Sequence, residues 1–126
     1  MRMAFRRLLA VLLTAAGLFG GTAVTAPTAG ALGWGAIAIS PGAGRVGYSK
    51  GLNSAIDAER AAIGLCQARD CRAVVNFTNA CGAVAQSSNT YWAWGRHRSA
   101  AGAQRSALIS CTQLGPGCRV VGWVCS

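Results

Sequence analysis

Residues 54–66 read SAIDAERAAIGLC, and residues 99–111 read SAAGAQRSALISC. Laid over each other they share Ser54/Ser99, Ala55/Ala100, Ala58/Ala103, Arg60/Arg105, Ala62/Ala107 and Cys66/Cys111. The flanks repeat in the same order. Upstream, WGAIAIS (34–40) matches CGAVAQS (81–87); downstream, CRAVVNF (71–77) matches CRVVGW (118–123). Matching blocks in one order mark a duplication, and an internal period decides a fold before any local propensity does. The chain from residue 33 onward reads as two copies of one unit, about 33–79 and about 80–126.

Each copy reads strand, strand, helix, strand. GAIAIS (35–40) and GAVAQS (82–87) are short and rich in small and β-branched residues. SPGAG (40–44) and SSNT (87–90) carry turn chemistry, so each first strand leads into a hairpin partner, RVGYSKG (45–51) or YWAWGRH (91–97). Ser54 and Ser99 stand at helix N-caps, with Asp57 at the capping-box distance in the first copy. Ile56, Ile63 and Cys66, and in the second copy Ala101, Leu108 and Cys111, recur at helical spacing and predict a narrow apolar stripe on each helix. CRAVVNF and CRVVGWV are short apolar runs of the kind found in buried central strands. The expected fold is α+β: two pseudo-symmetric ββαβ repeats packed as one small disulfide-stabilised domain.

The first 31 residues form a targeting segment and stand outside the fold. Arg2, Arg6 and Arg7 make a positive start, LLAVLLTAAGLFGGTAV (8–24) an apolar run, and Ala29, Gly30 and Ala31 a small-residue site with cleavage expected after Ala31. A membrane anchor is the rival reading; Gly17, Gly20, Gly21 and Pro27 weaken the run as a span of about 20 apolar residues. The Arg6–Arg7 pair suits either the general or the twin-arginine export route. Residues 32–126 then make a single secreted domain. A chain that short buries only about 60–65% of its unfolded surface, and cross-links offset the shortfall.

All six cysteines fall in that part, which reads as a disulfide framework in an oxidising compartment. With His97 the sole histidine and no Cys-x-x-Cys pair, a metal site is not expected. Six cysteines allow fifteen pairings, and the repeat narrows them. Cys66 and Cys71 flank the helix-to-strand turn of the first copy as Cys111 and Cys118 flank it in the second. Equivalent places suggest equivalent bridges, Cys66–Cys71 and Cys111–Cys118. Cys81–Cys125 then closes the second copy, whose counterparts in the first are Trp34 and Asn79.

The domain carries nine basic residues, eight of them Arg, against Asp57, Glu59 and Asp70, a balance of +6. Such a field favours anionic partners such as envelope polymers, headgroups, nucleic acid or acidic proteins. The bases are scattered, which suits solubility equally. WGAIAIS…GYSKG, the alanine-rich helix ending in Cys, CRAVVNFTNACGAVA, YWAWG and the closing CRVVGWVCS together resemble the domain of unknown function 4189 family of small exported bacterial proteins. The resemblance covers nearly all of residues 33–126. It implies export and these domain limits, and it brings no activity, catalytic residue or cofactor. The alanine- and arginine-rich composition fits an actinobacterial source.

GAGRVG (42–47) spells G-x-G-x-x-G, but a dinucleotide fingerprint must open a helix, and here YSKG continues a strand. A nucleotide cofactor is therefore not expected. Nucleophilic catalysis needs a base with an orienting partner. His97 sits between Arg96 and Arg98, which disfavour the imidazolium a general base must become. Asn76-Phe77-Thr78 matches a glycosylation sequon and carries no weight at the end of a strand in a bacterial protein. YWAWGRHR (91–98) is the stretch that suggests a function. Alternation along a strand puts Trp92, Trp94, Arg96 and Arg98 on one face and Tyr91, Ala93, Gly95 and His97 on the other. Indoles beside guanidiniums can stack on rings and hold an anion; the ordinary alternative packs the Trp side under a helix. The first copy has only VGYSKGLN there, so a ligand site would belong to the second unit. The expected function is a non-enzymatic binding module for an envelope, host or anionic macromolecule. The alternatives are a rigid inhibitor of a secreted hydrolase and a small enzyme centred on His97.

Overall fold

The computed structural model describes residues 33–126; the expected leader and its cleavage point lie outside the described residues. The first unit comprises β1 (Trp34–Ser40), β2 (Arg45–Leu52), α1 (Ala55–Cys66) and β3 (Arg72–Thr78). The second comprises β4 (Cys81–Gln86), β5 (Trp92–His97), α2 (Ala100–Thr112) and β6 (Arg119–Cys125). Each ββαβ unit makes a three-stranded antiparallel sheet, in the orders β2–β1–β3 and β5–β4–β6. The fold is α+β and the two units are pseudo-symmetric.

Strand alternation builds the layers. In β1, Ala36 and Ala38 meet Ala58, Ala62 and Cys66 of α1, while Ile37 and Ile39 point the other way. In β4, Ala83 and Ala85 meet Ala103, Ala107 and Cys111 of α2, while Val84 joins Ile37, Ile39 and Phe77. The sheets therefore face each other across a core of branched and aromatic side chains, and each outer face carries one helix. Alanine on the helix side and larger residues on the sheet side is the sequence pattern that sets this order of layers.

The buried helix stripes differ from those that spacing predicted. α1 buries Ala58, Ala62 and Cys66, and α2 buries Ala103, Ala107 and Cys111. Ile56, Ile63 and Ala101 are exposed, and Leu108 only borders the core. The cause is close approach. A Cβ at Gly47 would overlap Ala62 O and the backbone of Cys66, and one at Gly95 would stand 2.7 Å from Ala107 N. At that separation the contact stripe has room for methyl groups and none for isoleucine. Ser54 accepts from Asp57 N–H and Ser99 from Gly102 N–H, both at 3.0 Å, so each helix starts at its repeated serine.

The apolar runs of β3 and β6 are edge strands, not the central strands expected of them; β1 and β4 are central. A bulge explains the runs. Between Ile37 and Ala38 the partner β3 steps from Val75 to Ala73, and between Val84 and Ala85 the partner β6 steps from Gly122 to Val120. The extra residues, Val74 and Val121, are repeat equivalents. A bulge sets two residues against one, and adjacent Val74 and Val75 both pack on the inter-sheet core.

Phe77 breaks the symmetry at the centre of that core. Its ring lies against Gly35 and Gly82, which are repeat equivalents on β1 and β4, and a Cβ at Gly35 would stand 2.6 Å from it. One ring fills the space that both glycines leave. Its counterpart is Val124, which packs at the margin of the same cluster.

Cys66–Cys71, Cys111–Cys118 and Cys81–Cys125 are bonded. Two of these close the helix-to-strand turns, and the third joins β4 to β6 at directly opposed residues, whose counterparts in the first unit are the opposed Trp34 and Thr78 rather than Asn79. Asp70 holds the β1–β2 turn to the α1–β3 turn, accepting from Ser40 Oγ at 2.5 Å and Gly42 N–H at 2.7 Å. Those two hydrogen bonds hold its carboxyl below the ordinary range. Gly42–Gly44 lie in that turn, and β2 starts at Arg45, so the glycine-rich stretch leads into a strand. Among the described residues no helix is long and apolar enough to cross a membrane.

Candidate functional site

Alternation along β5 places Ala93, Gly95 and His97 towards α2 and Trp92, Trp94 and Arg96 towards the other sheet. The Trp face therefore packs beneath a second sheet, and the alanine face lies under the helix. Arg98 lies just past the end of the strand. Trp92 is half-buried in the inter-sheet core, while Trp94 is 36% exposed. The two indoles do not form one open platform.

Comparing the units shows why Trp94 stands out. Tyr48 sits opposite Ile37 and Trp94 opposite Val84, and Ile37 and Val84 are repeat equivalents. On the far side of the same central residues lie Val75 and Gly122. Tyr48 closes over Gly122, where any Cβ would overlap its hydroxyl. It is half-buried, and desolvation raises its phenol above the ordinary value. At the place equivalent to Gly122 the other unit has Val75, which carries a side chain, and a hollow of about 360 Å³ lined by Val75 opens between Trp94, Val74, Asn76, Glu59 and Arg96.

A second hollow of about 360 Å³ adjoins it, sharing Asn76 and Arg96 and running past Thr78 and Asn79 to His97 and Arg98. Arg96 marks the join: its guanidinium donates to Asn76 O at 2.9 Å. Asn76 Nδ2 donates to Glu59 Oε2 at 2.7 Å, so the sequon asparagine is engaged with α1. The trough follows the seam where β3 of one unit faces β5 of the other. Its residues come from both units, whereas YWAWGRHR alone pointed to the second. Glu59 and Asn76 escaped the sequence reading. Their repeat counterparts are Gln104 and Trp123, and an acid–amide pair present in one copy alone was the available signal.

His97 serves the start of α2. Its Nδ1 accepts from Ser99 N–H at 3.1 Å and lies 3.3 Å from Ser99 Oγ. A ring nitrogen that accepts from an amide carries no proton of its own, so the neutral imidazole is protonated at Nε2. Ser99 Oγ accepts from Gly102 N–H at the same time. The contact is a helix-cap network that includes a histidine and a serine.

An NMR structure of Rv1813c from Mycobacterium tuberculosis is similar to this chain at 23% identity and a TM-score of 0.57, the match covering 100% of this chain and 97% of that one. At that identity the likeness concerns the fold. No curated protein matches the chain by sequence. The family model described as "Domain of unknown function (DUF4189)" matches residues 34–125, and with that span matched the chain belongs to the DUF4189 family.

Proposed function

We propose that this protein is an exported, non-enzymatic binding module, and that the trough along the β3–β5 seam is its working surface, taking an anionic macromolecule. The observation that carries the reading is a half-exposed Trp94 on the same trough as Arg96 and Arg98. An indole offers stacking area at little entropic cost, and guanidiniums supply charge and forked hydrogen bonds. The excess of arginine over acid draws anions towards the surface. Three cystines support export, because such bonds persist in oxidising compartments.

The test is capture of residues 32–126 on cell-envelope fractions at low and high salt. Binding that falls with salt, and falls further in an Arg96→Gln, Arg98→Gln double variant, supports charge-driven capture at the seam. Binding indifferent to both removes the proposal. A second reading rests on the His97–Ser99 contact, which joins a nucleophile type to a base type. In a catalytic role Ser99→Ala abolishes an activity. In the capping role it only destabilises α2, by about 1 kcal/mol.

A further inference from the structure

We infer that the seam trough takes an acidic sugar, a pyranose chain bearing carboxylate or phosphate groups, laid with a ring on Trp94 and an acidic substituent at Arg98. This rests on the seam being the binding surface and names the ligand class for it. The trough is not uniformly cationic, and its polarity is what identifies the class. At one end stand Trp94, Glu59 and the Asn76 amide. At the other stands Arg98, and Arg96 lines both hollows between them.

Glu59 decides between anionic polymers. A carboxylate in a groove repels a phosphodiester backbone, which carries charge at every unit. It accepts hydrogen bonds from hydroxyls, of which a pyranose ring presents several. Asn76 Nδ2 already donates to Glu59 Oε2, fixing that carboxylate and leaving Glu59 Oε1 and Asn76 Oδ1 as acceptors. The exposed part of the Trp94 indole suits the C–H face of the same ring. Arg96, anchored through one nitrogen to Asn76 O, keeps its remaining N–H groups for an anion. Arg98 extends that charge beyond the strand end. Trp94 and Arg98 are four residues apart, roughly 13 Å along an extended backbone. That span calls for an oligosaccharide rather than one monosaccharide.

Titration calorimetry on residues 32–126 tests the assignment with five probes: hexagalacturonate, a phosphorylated mannan oligosaccharide, methyl-esterified hexagalacturonate, inorganic polyphosphate and single-stranded oligothymidylate. Binding of either acidic saccharide at least tenfold tighter than the ester, polyphosphate and oligothymidylate supports the inference, and the stronger of the two shows which acid is read. Arg98→Gln should weaken the acidic saccharide about tenfold and leave the ester unchanged. Glu59→Gln should weaken the saccharide while binding of polyphosphate holds or rises. Trp94→Ala should abolish saccharide binding, with Trp94→Phe retaining part of it and both variants keeping the wild-type circular dichroism spectrum and melting transition. Polyphosphate or oligothymidylate binding as tightly as the saccharides overturns the ligand class while leaving an anion-binding seam. No binding of any anionic probe overturns both. Trp94→Phe failing to fold overturns the placement of Trp94 on the trough rather than in the core.

Discussion

Truncating Phe77 to alanine should cost about 3–5 kcal/mol of folding stability, the usual range for a buried phenylalanine. The structure places the loss at the upper end. Phe77 is 1% exposed, and its ring is flanked by Gly35 and Gly82, which have no side chains to swing into the gap. β1 and β4, which carry those glycines, are central strands paired on both edges, so they cannot readily collapse inwards. A small domain has only about 5–15 kcal/mol in total, so the variant should lie near the edge of folding. Urea unfolding followed by circular dichroism measures the change, with the slope expected to stay constant while the midpoint falls. The duplicated geometry permits a stricter comparison. Because Gly35 and Gly82 are equivalent, a ring entering from position 124 should occupy the same space. Phe77→Val combined with Val124→Phe should therefore be more stable than Phe77→Val alone, a positive coupling between positions that share one cavity. A loss below about 1 kcal/mol for Phe77→Ala, or a double variant weaker than the single one, would refute the shared-slot argument.

Other perturbations test the remaining parts. Gly47→Ala pushes a methyl into the backbone of α1 and should lower stability by about 1–3 kcal/mol, read from the melting midpoint. Replacing Cys81 and Cys125 together by alanine opens a bridge spanning 44 residues, and the chain-entropy model puts its contribution at about 4 kcal/mol; denaturant midpoints of oxidised wild type and variant give the number. Asp70 is held below the ordinary carboxylate range by Ser40 and Gly42, so folding leaves it with fewer bound protons than the unfolded chain. The stability it contributes is present above the unfolded value and is lost as pH falls through the lowered folded value. Asp70→Ala should flatten the acid limb of a plot of stability against pH, while an unchanged limb would deny the clamp its role.

The repeat made the element order, the helix caps at Ser54 and Ser99 and the two-unit plan readable, because duplicated residues report on duplicated environments. The alignment also set Cys66 and Cys71 opposite Cys111 and Cys118, and the structure bonds each of those pairs. The failures have common physical roots. Spacing pointed to Ile56 and Ile63 as core because periodicity weighs hydrophobicity and ignores separation; Gly47 on the sheet lets α1 come too close for isoleucine, leaving Ala58, Ala62 and Cys66 in the contact. Val74–Val75 resembled a central strand because a bulge turns neighbours to one side, and a bulge leaves no mark in composition. YWAWGRHR gave the correct alternation and the wrong layer, since nothing local tells a strand whether a helix or a sheet lies above its larger face. The seam itself comes from contacts between units distant in sequence. It became visible only when Tyr48 over Gly122 could be set against the hollow lined by Trp94 and Val75.

The most direct measurement maps amide chemical shifts of isotopically labelled residues 32–126 during a hexagalacturonate titration. Working from the β3–β5 seam predicts saturable shifts clustered at Asn76–Ala80 and Trp94–Arg98, with the region around Tyr48 and Gly122 silent. Shifts centred on Tyr48 and Gly122, or spread evenly over the arginines with no saturation, would contradict it.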